Sequence, residues 1–238
     1  MTQMEELALL RKKERYTLDD LCAITRILRS ESGCPWDREQ DHHSIRTCLI
    51  EETYEVVEAI DTENADLLRE ELGDLLFQIV FHAELERERN TFSLGDVMHD
   101  ISVKMIHRHP HVFGDVNVRS SAEVLQNWES IKTEEKQRNS LSERLRAIPP
   151  MMPALMRAAK VTKKVEHANG ASAEELLVTL SNEIASMQRE LPTCDAHERI
   201  GELLLTVTDL ARTLGVECEH TLTDATNRII ERVESQGL

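Results

Sequence analysis

The chain has 238 residues, 40% hydrophobic, 30% charged and 3% aromatic, with a formal net charge of −16. That length can bury one large core or two small ones, and few Gly and Pro suit a helix-rich protein. The acidity argues against tracking a nucleic-acid backbone, which needs clustered Lys and Arg, but is compatible with a nucleotide carried with Mg²⁺.

In chain order, residues 1–16 alternate charges without the apolar run of a signal peptide, and no stretch is long and apolar enough to span a membrane. A cytoplasmic location is the default expectation, with neither a nucleic acid nor a membrane as partner. Strand signals are nearly absent. Thr17 with Asp20, Ser93 with Asp96, and Ser121 before Ala122-Glu123 have the character of helix starts. Helices are expected near 17–31, 44–60, 65–89, 94–108 and 122–138, with a short one ahead of them. The prolines at 149, 150 and 153 interrupt the pattern over 139–153 and mark the best boundary. A helix near 154–166 then leads, after Asn169-Gly170, to helices near 172–190, 195–214 and 220–235. The expected division is an extension at 1–16, a first unit at 17–138, a linker at 139–153 and a second unit at 154–238.

Two acidic clusters carry the functional information: Glu51-Glu52-Thr53-Tyr54-Glu55 and Glu70-Glu71-Leu72-Gly73-Asp74. Each falls on one of two helices joined by Asp61-Thr62-Glu63-Asn64, a polar, capping-type connection that makes the helices antiparallel neighbours. In such a hairpin, positions whose numbers share one sum lie at one height, which pairs Glu52 with Asp74 and Glu55 with Glu71. The two levels are about one turn, ~5 Å, apart. All four carboxylates can then reach one hard cation or a close pair. At the helical period Asp74 joins the stripe of Leu67, Phe77, Phe81 and Leu85, and Glu52 lies beside Ile45, Val56 and Ala59. Carboxylates on an apolar stripe need a metal, a cationic partner or a raised pKa. Four acids without four nearby bases favour the metal over structural salt bridges.

The second half reads as a worn copy. Asn182-Glu183-Ile184-Ala185-Ser186 corresponds to the first cluster and Glu198-Arg199-Ile200-Gly201-Glu202 to the second, with Pro192 at the turn. Ser186 and Arg199 replace two of the four acids. Arg199 repels a cation and is expected to pair with Glu183 or Glu202, which leaves the second half catalytically impaired.

Other chemistries fit poorly. Five cysteines (22, 34, 48, 194 and 218) form no CxxC pair and indicate neither a disulfide framework nor a thiolate zinc site. His107, His109 and His111 are interrupted by Pro110 and do not share a helix face, which favours structural roles over metal binding. The Glu-x-x-His element of di-iron bundles is missing from the acidic clusters, and no Gly-rich P-loop is present.

At this point the chain resembles the MazG family of nucleoside triphosphate pyrophosphohydrolases. The resemblance is carried by Gly33-Cys34-Pro35-Trp36-Asp37, both acidic clusters with Leu75-Leu76-Phe77 following the second, Arg108-His109-Pro110-His111-Val112-Phe113, and Trp128-Glu129-Ser130-Ile131-Lys132. It implies an all-α fold of tandem helical units that form four-helix-type bundles, completed by dimerisation into a homodimer. It also implies Mg²⁺-dependent hydrolysis of ribo- or deoxynucleoside triphosphates to monophosphate and pyrophosphate, in a housecleaning role. Glu52, Glu55, Glu71 and Asp74 become the expected metal ligands, and Glu51 a residue that orients or deprotonates water, or else a solvated acid. Lys104 and Arg108 resemble phosphate-contacting positions, or else form an ordinary basic face, and Lys132 joins them from the next helix. Trp128 either stacks on the base or ribose or anchors the packing; Trp36 is expected to fix its loop against the bundle. The competing readings are a nucleotide-binding or dimerisation module without turnover, and an enzyme acting on another phosphorylated metabolite.

Overall fold

A computed structural model describes residues 3–135, 140–165, 170–190 and 195–237. Asn139, Asn169, Pro192 and Cys194 lie outside them. The described residues are all-α, with no strand. The chain divides into two compact units, residues 1–128 and 129–238, and the division passes within one helix, Ser121–Glu135.

The first unit runs through α1 (Gln3–Leu10), α2 (Leu18–Arg29), α3 (Pro35–Glu39), α4 (Arg46–Asp61), α5 (Ala65–Glu88), α6 (Leu94–Arg108) and α7 (Pro110–Phe113), and ends inside α8 (Ser121–Glu135). Capping boxes start α2, through Thr17 and Asp20, and α6, through Ser93 and Asp96. Each satisfies backbone donors that a helix start leaves open.

The α4/α5 hairpin is the centre of this unit. Its turn closes by backbone bonds from Thr62 N–H to Glu58 O (2.9 Å) and from Asn64 N–H to Ala59 O (3.1 Å). Glu63 reverses the chain in the left-handed region at φ 52°. Asn64 then caps α5, its side chain accepting from Leu67 N–H at 3.1 Å. Ala59, fully buried at the turn end, is small enough to let the two helices approach.

The apolar core lies at the other end of the hairpin, where Ile45, Phe81 and Leu85 pack together with Phe77 against them. Arg29 of α2 fastens this end. Its guanidinium lies 5.1 Å over the Phe81 ring, pairs with both Glu88 oxygens (2.8 and 2.9 Å) and donates to the carbonyls of Asp37 (2.5 Å) and Gln40 (3.1 Å). A cation already satisfied by four acceptors can be buried at little cost. The turn between α2 and α3 needs Gly33, because a Cβ there would lie 2.2 Å from the Ile27 carbonyl oxygen.

The second unit takes the rest of α8 and continues through α9 (Leu141–Arg146), α10 (Ala154–Val165), α11 (Ala173–Glu190), α12 (Ala196–Thr213) and α13 (Cys218–Ser235). Here α11 and α12 form the main hairpin, and α10 packs on α12, α13 and α9. Glu219 of α13 caps α10 by accepting from Leu155 N–H at 3.2 Å and Met156 N–H at 3.4 Å.

Several local expectations need correction. The segment expected as a linker contains α9, started by a Ser140/Glu143 capping box ahead of the prolines. The Pro35-Trp36-Asp37 stretch is a short helix with Pro35 in its first turn, where a missing N–H costs nothing. Trp36, expected to fix its loop against the bundle, is 59% exposed. Asp74 shares the helical stripe of Phe77 and Phe81 but is exposed, because the core ends at Phe77 and does not extend toward the turn.

Candidate active site

Glu52 and Glu55 project from α4, and Glu71 from α5. Their carboxylates offer one oxygen each, and the three oxygens lie within 4.8 Å of one another. Glu52 and Glu71 are half-buried, and Glu55 is exposed. Asp74 lies outside this close set, yet its charge acts on both Glu52 and Glu71.

Like charges held this close resist ionisation together. Desolvation pushes the Glu52 carboxyl above its ordinary range, and the hydrogen bond to Glu55 with the charges of Asp74, Glu55 and Glu71 push the same way. Glu71 is raised by desolvation first and then by Glu55, Glu70 and Asp74. No Lys, Arg or His among the described residues pairs with any of the four acids. Arg69, two residues before Glu71, pairs instead with Asp66 at 3.2 Å. The donor set is all carboxylate oxygen, which fits a hard divalent cation such as Mg²⁺.

The remaining expected residues are distributed as follows. Glu51 is exposed on α4, next to the cluster in sequence, and is not one of the three converging carboxylates. Lys104 is exposed on α6. Arg108, one turn later, is only 8% exposed, with its guanidinium 5.7 Å over the Trp128 ring. The face of Trp128 is therefore engaged by a cation of its own unit. Lys132 belongs to the second unit and pairs with Glu129 at 3.6 Å.

A polar relay on the same hairpin was not singled out in the sequence. Glu86 Oε1 accepts from His42 Nε2 at 2.7 Å, and His42 Nδ1 meets His82 Nδ1 at 2.7 Å with the two rings stacked at 5.0 Å. Burial, then the charge of His42, lowers the His82 pKa. If the imidazoles are neutral, His42 carries its proton on Nε2 and accepts on Nδ1 from His82. The two histidines line a cavity of about 430 Å³ with Leu49, Ile79, Phe92 and Val97. Leu49 is one turn before Glu52 on α4, and Ile79 lies five residues after Asp74 on α5. A His82-x-x-x-Glu86 spacing was visible in the sequence, but its partner stands 40 residues away. His109 Nδ1 lies 2.6 Å from the Met105 carbonyl.

In the second unit Arg199 Nη1 pairs with Glu202 Oε2 at 3.0 Å, and Thr206 Oγ1 donates to Glu183 Oε1 at 3.1 Å. Each of these two acids thus has a partner within the second unit, although Glu183 Oε2 is buried and meets no donor.

Residues 40–113 match the MazG nucleotide pyrophosphohydrolase domain. A nucleoside triphosphate pyrophosphohydrolase/pyrophosphatase MazG of Thermotoga maritima is 38% identical over 236 residues, covering 95% of this chain and 91% of that protein. A nucleoside triphosphate pyrophosphohydrolase of Escherichia coli (strain K12) is 39% identical over 223 residues, covering 90% and 85%. The domain match contains the hairpin that carries the acidic cluster, and the likeness to these enzymes runs through both units: the chain belongs to the MazG family of nucleoside triphosphate pyrophosphohydrolases.

Proposed function

We propose that this chain hydrolyses ribo- or deoxynucleoside triphosphates to monophosphate and pyrophosphate with Mg²⁺, clearing unwanted nucleotides from the cytoplasmic pool. The observation that carries the reading is the convergence of Glu52, Glu55 and Glu71 within 4.8 Å, with no basic side chain among the described residues paired to them. With Asp74 one level away, they would hold Mg²⁺, which when bound neutralises phosphate charge and polarises the phosphoryl group under attack. Glu51, exposed on α4 one turn before Glu55, would be the carboxylate that orients the attacking water. Lys104 and Arg108 would meet the departing pyrophosphate, whose negative charge grows as the bond breaks. Trp128 holds Arg108 in place and offers its edge to the nucleoside. The apolar cavity between Leu49 and Ile79 is large enough for part of a base.

The exposed apolar residues of the hairpin support a homodimer. Ile50, Tyr54 and Val57 on α4 and Leu72, Leu76 and Ile79 on α5 are each at least 40% exposed. On each helix they follow i, i+4, i+7, so they form two adjacent stripes away from the acids. A second copy would cover them as a four-helix bundle. We read residues 154–238 as a degenerate, non-catalytic copy of 17–138, because Arg199 occupies the place of Glu71 and neutralises Glu202.

The test is metal-dependent turnover. Hydrolysis of a nucleoside triphosphate should stop on chelation, return with Mg²⁺, and fall at least about a hundredfold in Glu71→Gln and Asp74→Asn. Undiminished turnover by either folded variant would contradict the assignment, and triphosphate binding without any turnover would favour a regulatory module.

A further inference from the structure

The acidic chain carries a concentrated basic segment that the reading above does not use. From Arg144 to Lys164 the sequence has six Lys and Arg and no Asp or Glu, in a chain with 44 acids and 28 bases. These residues belong to α9 and α10, which pack on one another within the second unit. On α10, Arg157, Lys160 and Lys164 follow i, i+3, i+7 and form one stripe, with Lys163 beside it. Among the described residues none of Arg144, Arg157, Lys160, Lys163 and Lys164 makes an ion pair.

Crowded cations left unpaired among the described residues attract an anion from outside the chain. Arg144 shows this most directly: its Nε is buried and meets no acceptor. A buried guanidinium N–H without an acceptor is costly, and a phosphate oxygen supplies the best geometry for one. Lys164 is half-buried, with Lys132, Arg144 and Lys163 acting on it as like charges and Glu129 as an opposite one. Burial, reinforced by those three cations and opposed by Glu129, lowers its pKa. Burying a lysine among like charges is unfavourable until a multiply charged anion binds.

We propose that α9 and α10 form a second, metal-independent anion site, in which Arg144, Lys163 and Lys164 bind the phosphates of a polyphosphate or of a nucleotide's phosphate tail. The compact cluster, with one buried arginine nitrogen, suits a small polyanion better than a nucleic acid, which the net charge of −16 repels over its length.

The full chain carrying Glu71→Gln, so that nothing is turned over, is titrated calorimetrically with inorganic triphosphate and with ATP, both in EDTA. The site should bind both ligands without metal, and Arg144→Gln with Lys164→Gln should weaken binding at least about tenfold. Lys164→Arg, which keeps the charge, should retain it and controls for folding. Equal affinity for the two ligands assigns the site to the phosphates alone; tighter ATP binding assigns it to a nucleotide. No binding in EDTA, unchanged affinity in the double variant, or retention only of long oligonucleotides would overturn the proposal. Because the test needs neither Mg²⁺ nor turnover, its failure would leave the catalytic reading standing, and the converse also holds.

Discussion

Glu71 distinguishes a metal ligand from a structural acid. Glu52 and Glu71 have raised pKa values in the metal-free fold, both from an ordinary value of 4.5. A carboxyl raised by folding contributes stability below the unfolded value, and that contribution is lost as pH rises through the folded value. In metal-free protein, the stability difference between wild type and Glu71→Gln should therefore shift in favour of the variant as pH climbs above about 4.5. Glu86 and Asp41 have lowered values and work in the opposite sense, so the difference between the two proteins is the quantity to follow by thermal melts. At neutral pH the variant should melt no lower than wild type without metal, and only wild type should gain stability on adding Mg²⁺. A variant that melts below wild type without metal would mean that Glu71 has a structural partner. The acidic clusters and their hairpin could be read from the sequence, because capping residues and helical periods mark both helices, and three of the four expected acids converge. The sequence did not show that Asp74 stays exposed outside the closest set, because where a core ends depends on what packs against the stripe, here α2 and the Ile45 turn.

The α4/α5 hairpin positions the site, and its turn is where an element-scale test belongs. Asn64→Ala should cost about 1 kcal/mol through loss of the cap to Leu67. Glu63→Gly should be neutral or slightly stabilising, since Glu63 holds φ at 52°, which glycine adopts without a Cβ penalty. Denaturant midpoints for both variants check the pair, and a large loss on Glu63→Gly would show that its side chain is needed. This turn was legible because Asp61-Thr62-Glu63-Asn64 interrupts two long periodic runs with capping residues. The short helices α3, α7 and α9 were not, because four to six residues are too few to show a period. For α9 the signal was present in Ser140-Leu141-Ser142-Glu143, but three prolines downstream pointed to a linker. The Glu86–His42–His82 relay was illegible for another reason: it joins the loop before α4 to the far end of α5, and only the folded hairpin brings them together.

On the scale of the whole molecule, the exposed apolar stripes and the two unlike hairpins set the remaining expectations. Light scattering should give a dimer, and Tyr54→Lys with Leu76→Lys should shift it toward monomer and lower turnover if the bundle supports the site. A monomeric wild type would remove the reason given for those stripes. In the second unit, Arg199 pairs with Glu202, one of the two acids expected for it. The unpaired bases of α9 and α10 were visible as residues, but their convergence on Lys164 requires the packed helices.

The central claim is the position of bond cleavage, and hydrolysis in ¹⁸O-water with Mg²⁺ tests it most directly. Attack at the α-phosphorus predicts label in the nucleoside monophosphate, unlabelled pyrophosphate as the other product, and no products from Glu71→Gln. Labelled inorganic phosphate with nucleoside diphosphate, or turnover that survives Glu71→Gln, would contradict the assignment of this cluster to pyrophosphate release.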